Sequence, residues 1–155
     1  MLFFILLSFQ HEANSQNDSV FSTKKIQNLI DVDSLDKAVK ELKNQEVFYI
    51  NAKQYDSLSN LTYFYGRIAK LKGEVNFIEK AERALERLKS LTSNPEALYN
   101  AYSDMASLTV ENGMNKESYD YNKLGLESAK KTTNDRLNKM ANRTYGLAST
   151  SYYMR

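Results

Sequence analysis

One histidine, His11, and no cysteine occur in the 155 residues of the chain. Imidazole and thiolate are the groups that most often serve as general bases, nucleophiles and transition-metal ligands near neutral pH. What remains for chemistry is carboxylate, amide and phenol. The 19 acidic residues would have to act in pairs across a cleft, one ionised and one held protonated, as in glycoside hydrolysis of a cell wall. No such pair stands out, and acidic side chains at helical spacing serve first as solvated surface. The chain therefore reads as non-catalytic, with no cofactor and no metal. Three Asn-X-Ser/Thr sequons, at Asn17, Asn60 and Asn142, would matter only in a eukaryotic secretory pathway.

The elements that must position such groups are helices. Five glycines and one proline are too few for a turn-rich β protein, and 42% hydrophobic with 26% charged residues is ordinary for a globular domain. A net charge of +2 without a long block of one sign gives no reason to expect nucleic acid as a partner. Met1–Phe9, MLFFILLSF, is too short to cross a bilayer, which takes about 20 residues. It has the length of a signal-peptide core, although no Lys or Arg precedes it, and Ala13 and Ser15 supply the small residues read at a cleavage site. Residues 1–15 are thus expected to be a signal peptide cut after Ser15, residues 16–19 a linker, and residues 20–155 one helical domain. His11 leaves with the signal. The product is exported, periplasmic or facing the cell envelope, and without a lipobox cysteine it carries no lipid anchor.

Asn94 and Pro95 mark a helix start, a capping side chain followed by a ring suited to the first helical position. Leu98, Ala101, Tyr102, Met105 and Leu108 follow at steps of one helical face. Gly113 ends that helix, since glycine accepts the left-handed conformation, and a second helix runs from about Asn115 to Lys131. Upstream, the spacing predicts helices over 20–30 and 34–53. A third starts at Asp56 or Ser57, carries the stripe Leu58, Leu61, Tyr65, Ile68, and ends at Gly73. A fourth runs to Thr92 with Phe77, Ala81, Ala84, Leu85, Leu88 and Leu91 as its core face. The last covers 134–155, with Leu137, Met140, Ala141, Leu147 and Ala148 expected inward. The punctuation repeats. Gly113 lies 40 residues after Gly73, and Asp33 lies 40 before it.

Tyr102, Ala106, Gly113, Ser118 and Gly125 fall where tetratricopeptide (TPR) repeats place an aromatic, a small residue, the turn glycine and two further small residues. The stretch resembles a TPR hairpin, although Thr109 and Asn122 stand where that family usually has aromatics. The TPR period is about 34 residues, so the resemblance is to a long-repeat variant. It implies an all-α, right-handed solenoid of antiparallel hairpins, with about three and a half repeats and about seven helices after the signal peptide. It is weakest in the first repeat, where Lys25 replaces the usual leucine.

The resemblance further implies a concave groove lined by the first helix of each hairpin. Carried over by register, the groove residues are Asn60, Tyr63, Arg67, Lys70 and Leu71 in the second repeat. In the third they are Asn100, Ser103, Ser107, Val110 and Glu111, and in the fourth Asn142, Tyr145, Ser149, Tyr152 and Tyr153. Asn60, Asn100 and Asn142 share one register position, and an amide both donates and accepts. A ladder of amides can hold the backbone of an extended peptide, tyrosines add apolar area with a polar tip, and Arg67 and Lys70 suit a carboxylate. The alternative is that these asparagines bond neighbouring helices and the tyrosines pack between them. The expected partner is a protein or extended peptide. Ala148 plus seven residues reaches Arg155, where a turn is due. The domain is therefore expected to continue, as the first part of a longer protein, or to self-associate through its last helix. Repeats of this look also precede signalling outputs, of histidine-kinase or DNA-binding type, and caspase-like peptidase domains, which gives the rival reading of a sensory or regulatory segment.

Overall fold

The computed structural model describes residues 23–154. Every regular element among them is a helix. Residues 23–31 form α1, followed by α2 (Leu35–Asn51), α3 (Tyr55–Ser59), α4 (Thr62–Leu71), α5 (Phe77–Leu91), α6 (Pro95–Val110), α7 (Asn115–Ala129) and α8 (Arg136–Tyr153). The expected signal peptide and linker lie outside the described residues.

Helix boundaries follow local chemistry. The Asn94 side chain accepts a hydrogen bond from the Glu96 N–H at 2.9 Å, with Pro95 in the first turn. Gly73 and Gly113 close their turns at φ of 75° and 73°. Asp33, 40 residues before Gly73, adopts the same left-handed conformation at φ 54° without being glycine. The 40-residue punctuation is therefore a property of the backbone as well as of the sequence.

The expected single helix from Asp56 to Gly73 is broken. α3 starts at Tyr55, and the chain tightens at Asn60–Leu61, where the Leu61 N–H bonds to the Leu58 carbonyl in 3₁₀ fashion. The Ser59 hydroxyl donates to the Asp56 carbonyl at 2.6 Å, a local bond that competes with the helical ladder. The apolar stripe crosses the break intact, because Leu58, Leu61 and Ile68 are all buried.

α3 and α4 pack on α6, α4 on α5, α6 on α7, and α7 on α8. One apolar core runs from Ile26 and Ile30 through Leu42, Leu61, Ile68 and Leu85 to Met105 and Leu108. Leu85 and Leu88 lie inside it, as the α5 periodicity predicts. Gly66 sits where α4, α5 and α6 converge, and a Cβ there would collide with Leu108 and crowd Ala81.

Side-chain ties join residues roughly one period apart. Arg67 donates to Gln27 at 2.8 Å, Arg87 to Glu46 at 2.9 Å, Tyr121 to Glu82 at 2.9 Å, and Asn94 to Asp56 at 3.2 Å. Lys139 pairs with Glu96.

The inner face of α8 differs from the expectation. Leu137 is 76% exposed, and Ala141 and Ala148 also face outward. The side turned to α7 carries Arg143, Gly146 and Thr150. Gly146 lies against the Asn122 amide and Arg143 lies over Gly125, so both glycines make room for the polar side chains opposite. Met140 and Leu147 of the expected inner face are partly covered, and the close approach at Gly125 and Gly146 turns Leu137, Ala141 and Ala148 outward.

Candidate functional site

α6 is the element around which the candidate residues gather. Asn100, Ser103, Asp104 and Ser107 recur at i, i+3, i+4 and i+7, one stripe of a helix, and Glu96 and Glu111 extend it at either end. Ala97, Ala101, Met105 and Leu108 of the same helix are buried, and Asp104, seven residues after Ala97 and four before Leu108, lies at the border of that core, whereas Ser107 is exposed.

On one flank stands α4. The Tyr63 hydroxyl donates to Glu111 at 3.1 Å. Lys70 bonds to Asn112 and lies 5.8 Å over the Phe77 ring. Arg67 reaches Gln27 and sits 5.7 Å over the Tyr63 ring. These three candidate residues are engaged in ties between successive hairpins. Asn60 stands at the α3–α4 break, ahead of the helix that carries the other three. Leu71 is half exposed at the end of α4.

On the other flank stands α8. Asn142 and Tyr145 are exposed, Ser149 is partly covered, and Tyr152 is exposed with its ring edge-on to Tyr153 at 5.5 Å. Among the described residues the side chains of Asn60, Asn100, Asn142 and Ser107 make no hydrogen bond. The Ser103 hydroxyl turns back to the Tyr99 carbonyl at 2.7 Å. Val110 and Glu111 are exposed at the C-terminal end of α6. The candidates thus divide into a set tied to another helix, Tyr63, Arg67, Lys70 and Glu111, and an untied set, Asn60, Asn100, Ser107 and Asn142.

The most perturbed group of the stripe is one that the register did not select. The Asp104 carboxyl is withdrawn from water, and this desolvation pushes its pKa up to about 7, offset in part by the Tyr63 backbone N–H and by the Arg143 charge. Tyr63 is the second residue of α4, and its N–H is one of the first-turn donors that the helix cannot satisfy itself. The break at Asn60–Leu61 leaves that N–H near the Asp104 carboxyl of α6, where it favours the ionised form. Arg143 approaches from α8, lies 5.7 Å over the Tyr99 ring, and keeps a buried Nε without a hydrogen-bond partner. Lys139 lies 5.5 Å over the same ring and pairs with Glu96. Burial and the nearby Glu96 raise the pKa of Asp56, while Lys139 opposes them. Burial, followed by the Glu111 charge, raises that of Tyr63.

Asp104 was legible only as the i+4 neighbour of Asn100. The Glu96–Lys139 pair was legible only as opposite charges 43 residues apart, close to the period. No group of three or more Asp, Glu, His or Cys among the described residues is placed to hold a metal ion. No helix among them is long and apolar enough to cross a membrane. No protein-family model, curated protein or solved structure matches the chain.

Proposed function

We propose that the chain is a non-catalytic, TPR-like repeat scaffold that binds an extended peptide along the face formed by α6 and α8. The observation that carries this reading is the untied set, in which Asn100, Asn142 and Ser107 make no hydrogen bond, together with the exposed rings of Tyr145 and Tyr152 on α8. An open row of amides and phenols suits a main chain that needs both donors and acceptors, with aromatic area contributing at small rotamer cost. Ties between residues about 40 apart support a solenoid of stacked hairpins, because stacking sets equivalent positions of neighbouring repeats side by side; its right hand is what the TPR resemblance implies. Within that arrangement α4 acts as a wall braced against α6, and the groove proper begins at α6. The protein works outside the cytoplasm, a reading that rests on residues 1–15.

Selection from a random linear-peptide library on the purified domain tests the proposal. Enriched peptides should lose about tenfold in affinity on Asn100→Ala and again on Asn142→Ala, with melting temperature unchanged in both variants. Failure to enrich any peptide would sink the proposal, as would equal affinity for wild type and the double variant. A large fall in melting temperature on Asn100→Ala would make that amide structural.

A further inference from the structure

A cleft of about 680 Å³ opens away from the α6–α8 face, between α2 and α5, with α4 as its floor. Its floor and lower walls are apolar, formed by Leu42, Ile68, Ala69 and Ala84. Its rim is cationic. Lys43, Lys72, Lys80, Arg83 and Arg87 line it with two carboxylates, Glu46 and Glu74, and Lys72 pairs outward with Asp36 at 2.6 Å. Both carboxylates are committed. Glu46 accepts from the Tyr65 hydroxyl at 2.6 Å and from Arg87 at 2.9 Å, and Glu74 pairs with Lys80. Lys43 has no ion-pair partner among the described residues. Arg83 is held only by an exposed i,i+4 pair with Glu79 at 3.1 Å, an interaction weak enough to exchange for a better anion.

The width of the cleft decides what fits. The Glu46–Arg87 bridge spans from α2 to α5, so one glutamate and one arginine side chain suffice to cross the gap. A helix with its side chains is about 10–12 Å across and does not enter a space bridged in this way, whereas a single hydrocarbon chain does. The lined part of α2, Val39 to Val47, is roughly 12 Å long at the helical rise, which suits a medium-length chain.

We infer that this cleft binds an anionic amphiphile, one slender apolar chain lying on Leu42, Ile68, Ala69 and Ala84 with its charged head at Lys43 and Arg83. The shared chemistry covers a fatty carboxylate and an alkyl phosphate. The site is independent of the peptide-binding reading, since it lies on other helices.

Calorimetric titration with octanoate, decanoate, decyl phosphate and decanol, each kept monomeric, tests it. Decanoate should bind saturably at one site, more tightly than octanoate by roughly fourfold per methylene buried. Decanol should bind at least tenfold more weakly, and the ratio of decanoate to decyl phosphate tells which head is preferred. Lys43→Glu reverses an exposed, unpaired charge and should weaken decanoate at least tenfold in a domain that melts as wild type does. Ala84→Phe should fill the cleft and abolish binding. Absence of saturable decanoate binding would overturn the inference. Equal binding of decanol, or undiminished binding to Lys43→Glu, would overturn it too, as would an acidic helical peptide that binds there while decanoate does not.

Discussion

Asp104→Asn isolates the balance struck at the start of α4. In the folded chain burial pushes the carboxyl pKa up to about 7, from 3.8 for a solvated aspartate. Between those values the native state holds a proton that the unfolded chain has released, so unfolding is accompanied by proton release and stability falls as pH rises. The full contribution is present below about pH 4 and is lost by the time pH passes 7. A displacement of about three pH units corresponds to about 4 kcal/mol in all, of which about 3 kcal/mol falls between pH 5 and pH 8. At 2–4 °C per kcal/mol for a domain of this size, wild type should lose roughly 6–12 °C of melting temperature over that interval. Asparagine keeps an oxygen for the Tyr63 N–H but has no charge to desolvate, so the variant should lose this component of the slope. Circular-dichroism melts of both proteins at pH 5, 6, 7 and 8, at constant ionic strength, measure the difference. Burial also raises Asp56, while Lys25 and Gln45 hydrogen bonds outweigh burial to lower Glu41. Those contributions are common to both proteins and cancel in the comparison. Parallel pH profiles for wild type and Asp104→Asn would show that the carboxyl is ionised at no cost, and the account of its burial would be wrong.

Asp33 adopts the left-handed turn conformation that Gly73 and Gly113 adopt 40 and 80 residues later. Asp33→Gly should therefore stabilise the domain by about 0.5–1 kcal/mol, and Gly73→Asp should cost a similar amount, both read from urea midpoints at unchanged m value. Leu88 is 1% exposed in the α5 core stripe, and Leu88→Ala should cost about 2–5 kcal/mol. A loss below about 0.5 kcal/mol in chemical denaturation would place that side chain at the surface.

Local rules carried most of the fold. A capping amide before a proline, glycines at the two later turns and the 3.6-residue stripe of α5 are each readable within one or two helical turns, and each appears where the sequence puts it. The break at Asn60–Leu61 was not readable, because a single tightened turn leaves Leu58, Leu61 and Ile68 on the same buried side. The rotation of α8 was misread for a different reason. Met140 and Leu147 are partly covered as expected, but Leu137, Ala141 and Ala148 face outward, because contact with α7 is governed by how closely Gly125 and Gly146 let the two helices approach, which is a pairwise property. The site divides along the same line. The α6 stripe follows from periodicity, whereas the engagement of Tyr63 and Lys70 with Glu111 and Asn112 depends on the stagger between hairpins. Asp104 is one acid among 19 until the N-terminus of α4 is brought to it.

The seam between α3 and α4 also has a kinetic consequence. An amide in the first turn of a helix ordinarily exchanges its hydrogen with solvent at nearly the rate of an open chain, since fraying exposes it. The Tyr63 amide lies near the Asp104 carboxyl of another hairpin, so its exchange should report on whether α6 is seated and not on the fraying of α4. Slow exchange at Tyr63, lost when α6 detaches, would make this one hydrogen a marker of the docking of two hairpins.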